Sequence, residues 1–171
     1  MKSIDIIGKR NIDKINKTVN PIRQDSIKMD IDDIYYTNSK QIEVINKLYL
    51  GEEQVTDNIF KREIRKKIMG YKNQDIKKNI IELNKLISLD QTIEMLMISK
   101  LKCFYCSEIC ELVYKTIFSK KQWTLDRINN RNGHNYDNVV ISCLECNVKR
   151  GDMDSERFKK GKNIRIVRKQ Y

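Results

Sequence analysis

Two Cys-x-x-Cys pairs, Cys103/Cys106 and Cys143/Cys146, constrain this 171-residue chain more than anything else in it. Four thiolates in paired x2 spacing are the ligand set of a closed tetrahedral zinc site. Such a site must draw two distant segments together, so everything from Cys103 to Gly151 is read as one metal-stapled unit. Cys110 complicates the ligand set, because Cys106-x3-Cys110 is also a ligand spacing. The matching x2 spacing of the second pair favours Cys103 with Cys106 and makes Cys110 a small buried hydrophobe.

The rest of the sequence excludes several classes. No apolar run is long enough to span a membrane. The opening MKSIDIIGKRNIDK lacks the apolar core of a secretory signal, so the expectation is a protein that is not secreted. Cysteines in such a chain point to an intracellular reducing compartment and to metal ligands rather than disulfides.

Net charge is +11, unevenly spread. The first 60 residues are slightly acidic, whereas 61–87 and 148–171 are strongly basic and flank a nearly neutral cysteine-bounded stretch. The chain has no alanine and is crowded with Ile, Asn and Lys, a composition typical of AT-rich codons. That bias inflates lysine everywhere and does not explain an acidic first third. Basic segments beside a compact site suit a polyanion, most simply a DNA phosphate backbone.

Periodicity predicts an α+β chain in four parts: an extended arm over 1–37, a basic helical region over 38–100, the metal unit over 101–153 and a basic tail over 154–171. Ile4, Ile6 and Ile7 suit a short strand, and Pro21 breaks any helix near it. Helices are expected from Asn38 to Gly51, over 52–69, over 74–87 and over 90–99. The apolar stripes expected are Ile42, Ile45, Leu48 and Tyr49, then Val55, Ile59, Ile64 and Ile68, then Ile76, Ile80, Leu83 and Ile87, then Ile93, Leu96 and Met97. Arg65, Lys66 and Lys67 fall mostly off these stripes and are candidate phosphate contacts. The tail sequence IRIVRK has the alternation of a strand.

Within the metal unit, Gln122–Ile128 and Asn138–Cys143 read as two strands joined by the polar loop NNRNGHNYD. Gly133 in that loop suggests an unusual backbone angle. A helix should start at the second cysteine pair and carry Asn147, Lys149 and Arg150. Asp126 on the first strand can then face Asn147 on the helix. Two oxygen ligands of this kind leave room for water and phosphate around Mg²⁺.

The stretch 103–151 resembles the HNH endonucleases, the ββα-metal or His-Me finger superfamily. It is most similar to the zinc-stapled type found in phage recombination endonuclease VII and its homologues in large DNA viruses. The resemblance implies an N-terminal helical region followed by a ββα-metal HNH module with a four-cysteine structural zinc site. It implies that Asp126 and Asn147 hold the catalytic Mg²⁺, that Asn138 ties the loop, and that Arg150-Gly151 is the basic-Gly ending; Lys149 or Arg150 can neutralise DNA phosphate. DNA is the implied substrate, the host cytoplasm, nucleus or virion the implied location, and the oligomeric state is open, a homodimer included. One departure matters. Family members carry the general-base His directly after the strand-one Asp, and here that residue is Arg127. His134, the chain's one histidine, either replaces the base or the protein is a degenerate nuclease that binds or packages DNA without cutting it. Tyr136 is a second candidate base, and an interaction protein with an incidental basic tail is a third reading.

Overall fold

The computed structural model describes residues 29, 31–52 and 54–164. The strand suggested near Ile4 and the IRIVRK strand lie outside the described residues. Among the described residues the architecture is α+β: helices around one two-stranded antiparallel sheet. In order, a 3-10 turn (Asp33–Tyr36) precedes α1 (Asn38–Leu50), α2 (Asp57–Lys77), α3 (Leu89–Ile98), β1 (Trp123–Arg127), a second 3-10 turn (Tyr136–Asn138), β2 (Val139–Cys143), α4 (Leu144–Arg150) and α5 (Ser155–Asn163). None of the described helices is long and apolar enough to cross a membrane.

The first helix starts where expected and ends on Gly51, whose φ of 73° supplies the left-handed closing residue. Its buried row is Gln41, Val44, Ile45 and Leu48, rotated from the expected one, so Tyr49 is exposed. Gln41 explains the rotation. Its amide group works inside the core, accepting from Leu112 N–H and donating to the Val113 carbonyl at 3.0 Å. It anchors the 111–113 segment, whose Leu112 and Val113 are buried, while Ile117 and Phe118 farther along stay exposed.

The second and third expected helices are corrected. One helix, α2, runs straight through Gly70, where an added Cβ would meet nothing within 4 Å, and stops at Lys77. Its buried row, Phe60, Ile64, Ile68 and, two turns on, Asp75, keeps one helical face across Gly70, so nothing ends the helix there. Residues 79–88 form no helix. They run beside the hairpin loop, with Ile87 N–H donating to the His134 carbonyl at 3.0 Å and Leu86 bridged to Asn135. Ile76 and Leu83, expected on a buried face, are therefore exposed.

α3 forms as expected, opened by a reciprocal Ser88–Gln91 capping box, with Ile93 and Leu96 buried. The expected arm differs in its described part: Asp33–Tyr36 is a turn, and Tyr35 and Tyr36 pack against the core. Helices, hairpin and cysteine segment share one continuous core, from Val44 in α1 to Trp123 and Leu125 in β1 and Ile141 in β2.

Candidate functional site

β1 and β2 pair in the register Trp123↔Cys143 to Arg127↔Val139. All five β1 residues are buried, so both faces of the strand are covered. One face, Thr124 and Asp126, meets α4: Asn147 Nδ2 donates to Thr124 Oγ1 at 3.0 Å, and Arg150 forks onto Asp126. Among the described residues the sheet has only two strands, so the outer edge of β1 needs other partners. A row of α2 side chains at four-residue spacing supplies them. Lys67 Nζ donates to the Trp123 carbonyl, Leu125 N–H donates to Tyr71 Oη at 3.1 Å, and Asp75 reaches the Arg127 guanidinium at 3.8 Å.

The hairpin's base carries the cysteine cluster. The Sγ atoms of Cys103, Cys106, Cys143 and Cys146 lie within 4.8 Å of one another. Four sulfurs about 2.3 Å from a shared zinc would stand about 3.8 Å apart, and Cys106 and Cys143 are 3.9 Å apart. Cys146 N–H also donates to Cys143 Sγ at 3.4 Å, opening α4 at the site. Hydrogen bonds from the Cys110 and Cys143 thiols draw the Cys103 thiol far below its ordinary range. The hydrogen bond to Cys103, together with burial, holds Cys143 far above it, and burial pushes Cys146 up to about 12. Sulfurs this close cannot all be thiolates by themselves, whereas a divalent cation lets them be. The set can hold a metal ion and fits zinc. Cys110 is buried beside Cys103 but outside the four-sulfur cluster, as expected of a small hydrophobe.

The first knuckle also places Tyr105 between Cys103 and Cys106, fully buried, where its hydroxyl donates to Asp126 Oδ2 at 2.7 Å. Burial and the adjacent carboxylate hold this phenol far above its ordinary range, so it remains a donor.

Above the hairpin lies a cavity of about 260 Å³ whose lining includes Lys78, Asp126, Arg127, His134, Asn147 and Arg150. The structure thus brings together Asp126, Arg127, His134 and Asn147, named from sequence alone. Asp126 accepts three hydrogen bonds: Tyr105 Oη and Arg150 Nε at Oδ2, and Arg150 Nη2 at Oδ1. A carboxylate offers about four acceptor sites, which leaves one on Oδ1. Asn147 donates through Nδ2 and keeps its amide oxygen.

His134 is buried, stacked on Tyr71 at 4.5 Å between ring centroids. Its Nδ1 lies 2.8 Å from Asp75 Oδ1, and its backbone N–H donates to Asp75 Oδ2 at 2.6 Å. Burial, set against the Asp75 hydrogen bond, keeps the imidazole below its ordinary range, so it is neutral at pH 7. Among the described residues no side chain bonds Nε2, and the one buried side-chain polar atom without a partner is Asn135 Oδ1. Nε2 is therefore the edge of the ring that the cavity reaches. Gly133 is needed here for space rather than for its backbone angle: a Cβ would come within 2.8 Å of the Ile80 carbonyl and 3.0 Å of Asp75 Oδ2. Asn138 ties the loop, accepting from Asn129 N–H and donating to the Asn129 and Gly133 carbonyls. Tyr136 does not line the cavity; its exposed hydroxyl points to Glu94.

Two candidate phosphate contacts are corrected. Lys67 turns inward, bonded to Gln122 Oε1 at 3.1 Å and placed over the Tyr114 and Trp123 rings. Arg150 is only 4% exposed and holds Asp126, Arg127, Asn130 and Met153 together. Arg65 and Lys66 are exposed on α2, and Lys149 is exposed on α4 in an ion pair with Glu145. Sequence reasoning missed Asp75, Tyr71 and Tyr105. Lys67, Tyr71 and Asp75 do share four-residue spacing, but only the fold shows what that row faces.

No protein-family model, curated protein or solved structure matches this chain.

Proposed function

We propose that this chain is a zinc-stapled HNH endonuclease that hydrolyses DNA phosphodiester bonds. The observation that carries the reading is the single cavity shared by an acid, an amide, a neutral imidazole and three cations, Asp126, Asn147, His134, Lys78, Arg127 and Arg150, on a cysteine-stapled hairpin and helix.

Cys103, Cys106, Cys143 and Cys146 would hold zinc, which when bound would tie the two knuckles together and so keep Tyr105 and α4 against Asp126. Asp126 and Asn147 would hold Mg²⁺, which when bound stabilises charge on the scissile phosphate and the departing 3′ oxygen. His134 Nε2 takes the proton as a water oxygen attacks phosphorus and the P–O3′ bond breaks. Lys78 and Arg127 line the cavity as cations for the phosphate, and Arg127, in the usual base position, cannot act as a base at neutral pH. Arg65 and Lys66 extend a basic track along α2.

The Arg150 fork on Asp126 favours a second reading, because it already neutralises the carboxylate that would attract the cation. In that reading the protein binds DNA and does not cut it. A plasmid assay on the zinc-loaded protein separates the two. The wild type should nick supercoiled DNA when Mg²⁺ is supplied and not without it. Asn147→Ala and His134→Gln should each cost about 10²–10⁴-fold in rate with DNA affinity preserved. Protein that binds DNA but never nicks it with Mg²⁺ or Mn²⁺ would establish the second reading.

A further inference from the structure

We infer that Asp75, carried by the helical region, is the positioning residue that makes His134 competent as a base. This rests on the nuclease reading of the cavity. The site departs from its expected pattern: the strand position beside Asp126 holds an arginine, and the imidazole comes instead from the loop. A loop histidine is a poor base unless its ring is fixed and its protons are assigned to the correct nitrogen.

Asp75 does both. Its carboxylate is fully buried and grips His134 at two points, the ring Nδ1 at 2.8 Å and the backbone N–H at 2.6 Å. A carboxylate only accepts, so Nδ1 must carry the proton and Nε2 the lone pair. Nε2 is the edge of the ring open to the cavity. Tyr71, one helical turn before Asp75, stacks on the ring and blocks its rotation. The absence of a side chain at Gly133 lets the loop come this close to Asp75. The arrangement has the logic of an acid that orients a histidine without itself taking the proton. The base is therefore assembled from two parts of the chain, α2 and the hairpin loop, and neither part holds it alone.

His134 is the one histidine, so its imidazole nitrogens can be read by NMR in the full zinc-loaded chain without assignment. The wild type near pH 7 should show a neutral ring protonated on Nδ1. Asp75→Asn should shift protons toward Nε2, and should lower kcat for plasmid nicking about 10²–10⁴-fold with KM little changed. A wild-type ring protonated on Nε2 overturns the inference whatever the variants do, so it stays testable if Asp75→Asn fails to fold. Asp75→Asn nicking at the wild-type rate overturns it as well. An Nδ1-protonated wild type that never nicks would instead sink the nuclease reading, and with it the catalytic role, while the clamp itself stands.

Discussion

Replacing Arg150 by methionine should unfold this protein far more readily than the loss of a surface cation would. The guanidinium and the Asp126 carboxylate are 2% and 4% exposed and are joined by bonds of 2.8 and 2.9 Å. Arg150 also donates to the Arg127 and Met153 carbonyls, both at 2.7 Å, and to Asn130 Oδ1 at 3.0 Å. Methionine fills a similar volume but leaves Asp126 buried with Tyr105 Oη as its remaining hydrogen-bond donor. Stranding one partner of a buried ion pair costs about 3–5 kcal/mol. At about 2–4 °C per kcal/mol for a chain of this size, the melting temperature should fall by about 6–20 °C. Asp126→Leu should cost toward the lower end of that range, about 3 kcal/mol, because Arg150 keeps its three other acceptors. The double variant Asp126→Leu/Arg150→Met strands no charge, so its cost should fall at least about 2 kcal/mol short of the sum of the singles. Urea unfolding of the four proteins with zinc present measures this directly. If Arg150→Met costs under about 1 kcal/mol and the two changes add, the pair behaves as an exposed one. Arg150 would then be free to reach DNA, and its role as an internal tie would be wrong.

Cys143→Ser should lose both the metal and the cooperative melt, since zinc contributes much of the folding energy of such a site. Cys110→Ala should keep one zinc per chain by metal analysis; the reverse pattern would move Cys110 into the ligand set. Lys67 gives a pH signature. Burial pushes its ammonium from 10.5 down to about 7, against the pull of nearby charge. Between those values the unfolded chain holds the extra proton, so stability should rise with pH, by at most about 1.4 kcal/mol per unit. Below about pH 7 both states are protonated and this contribution is flat. Lys67→Met should remove the rise, and an equal rise in both proteins by urea midpoints would rule out Lys67 as its source.

Local chemistry determined a good deal by itself. The four-cysteine cluster, both strands and the helix near 90–99 follow from ligand spacing, alternation and apolar periodicity, all of which act over a few residues, and the loop-tying role of Asn138 came from the family resemblance. The same local pattern brought Asp126, Arg127, His134 and Asn147 to one cavity, because a hairpin and the helix after it leave little freedom in where those side chains point. Only the tertiary structure decided the roles of the charged residues. Lys67 and Arg150 look like surface cations in sequence, yet burial among carbonyls, rings and a carboxylate turns both into internal ties. The stretch 79–88 has a helical apolar pattern, but its backbone hydrogen bonds go to the hairpin loop. Asp75 and His134 stand 59 residues apart, and nothing local in either predicts the other. Their pairing exists because β1 has a bare outer edge, and α2 covers it with a row of side chains that ends at the loop.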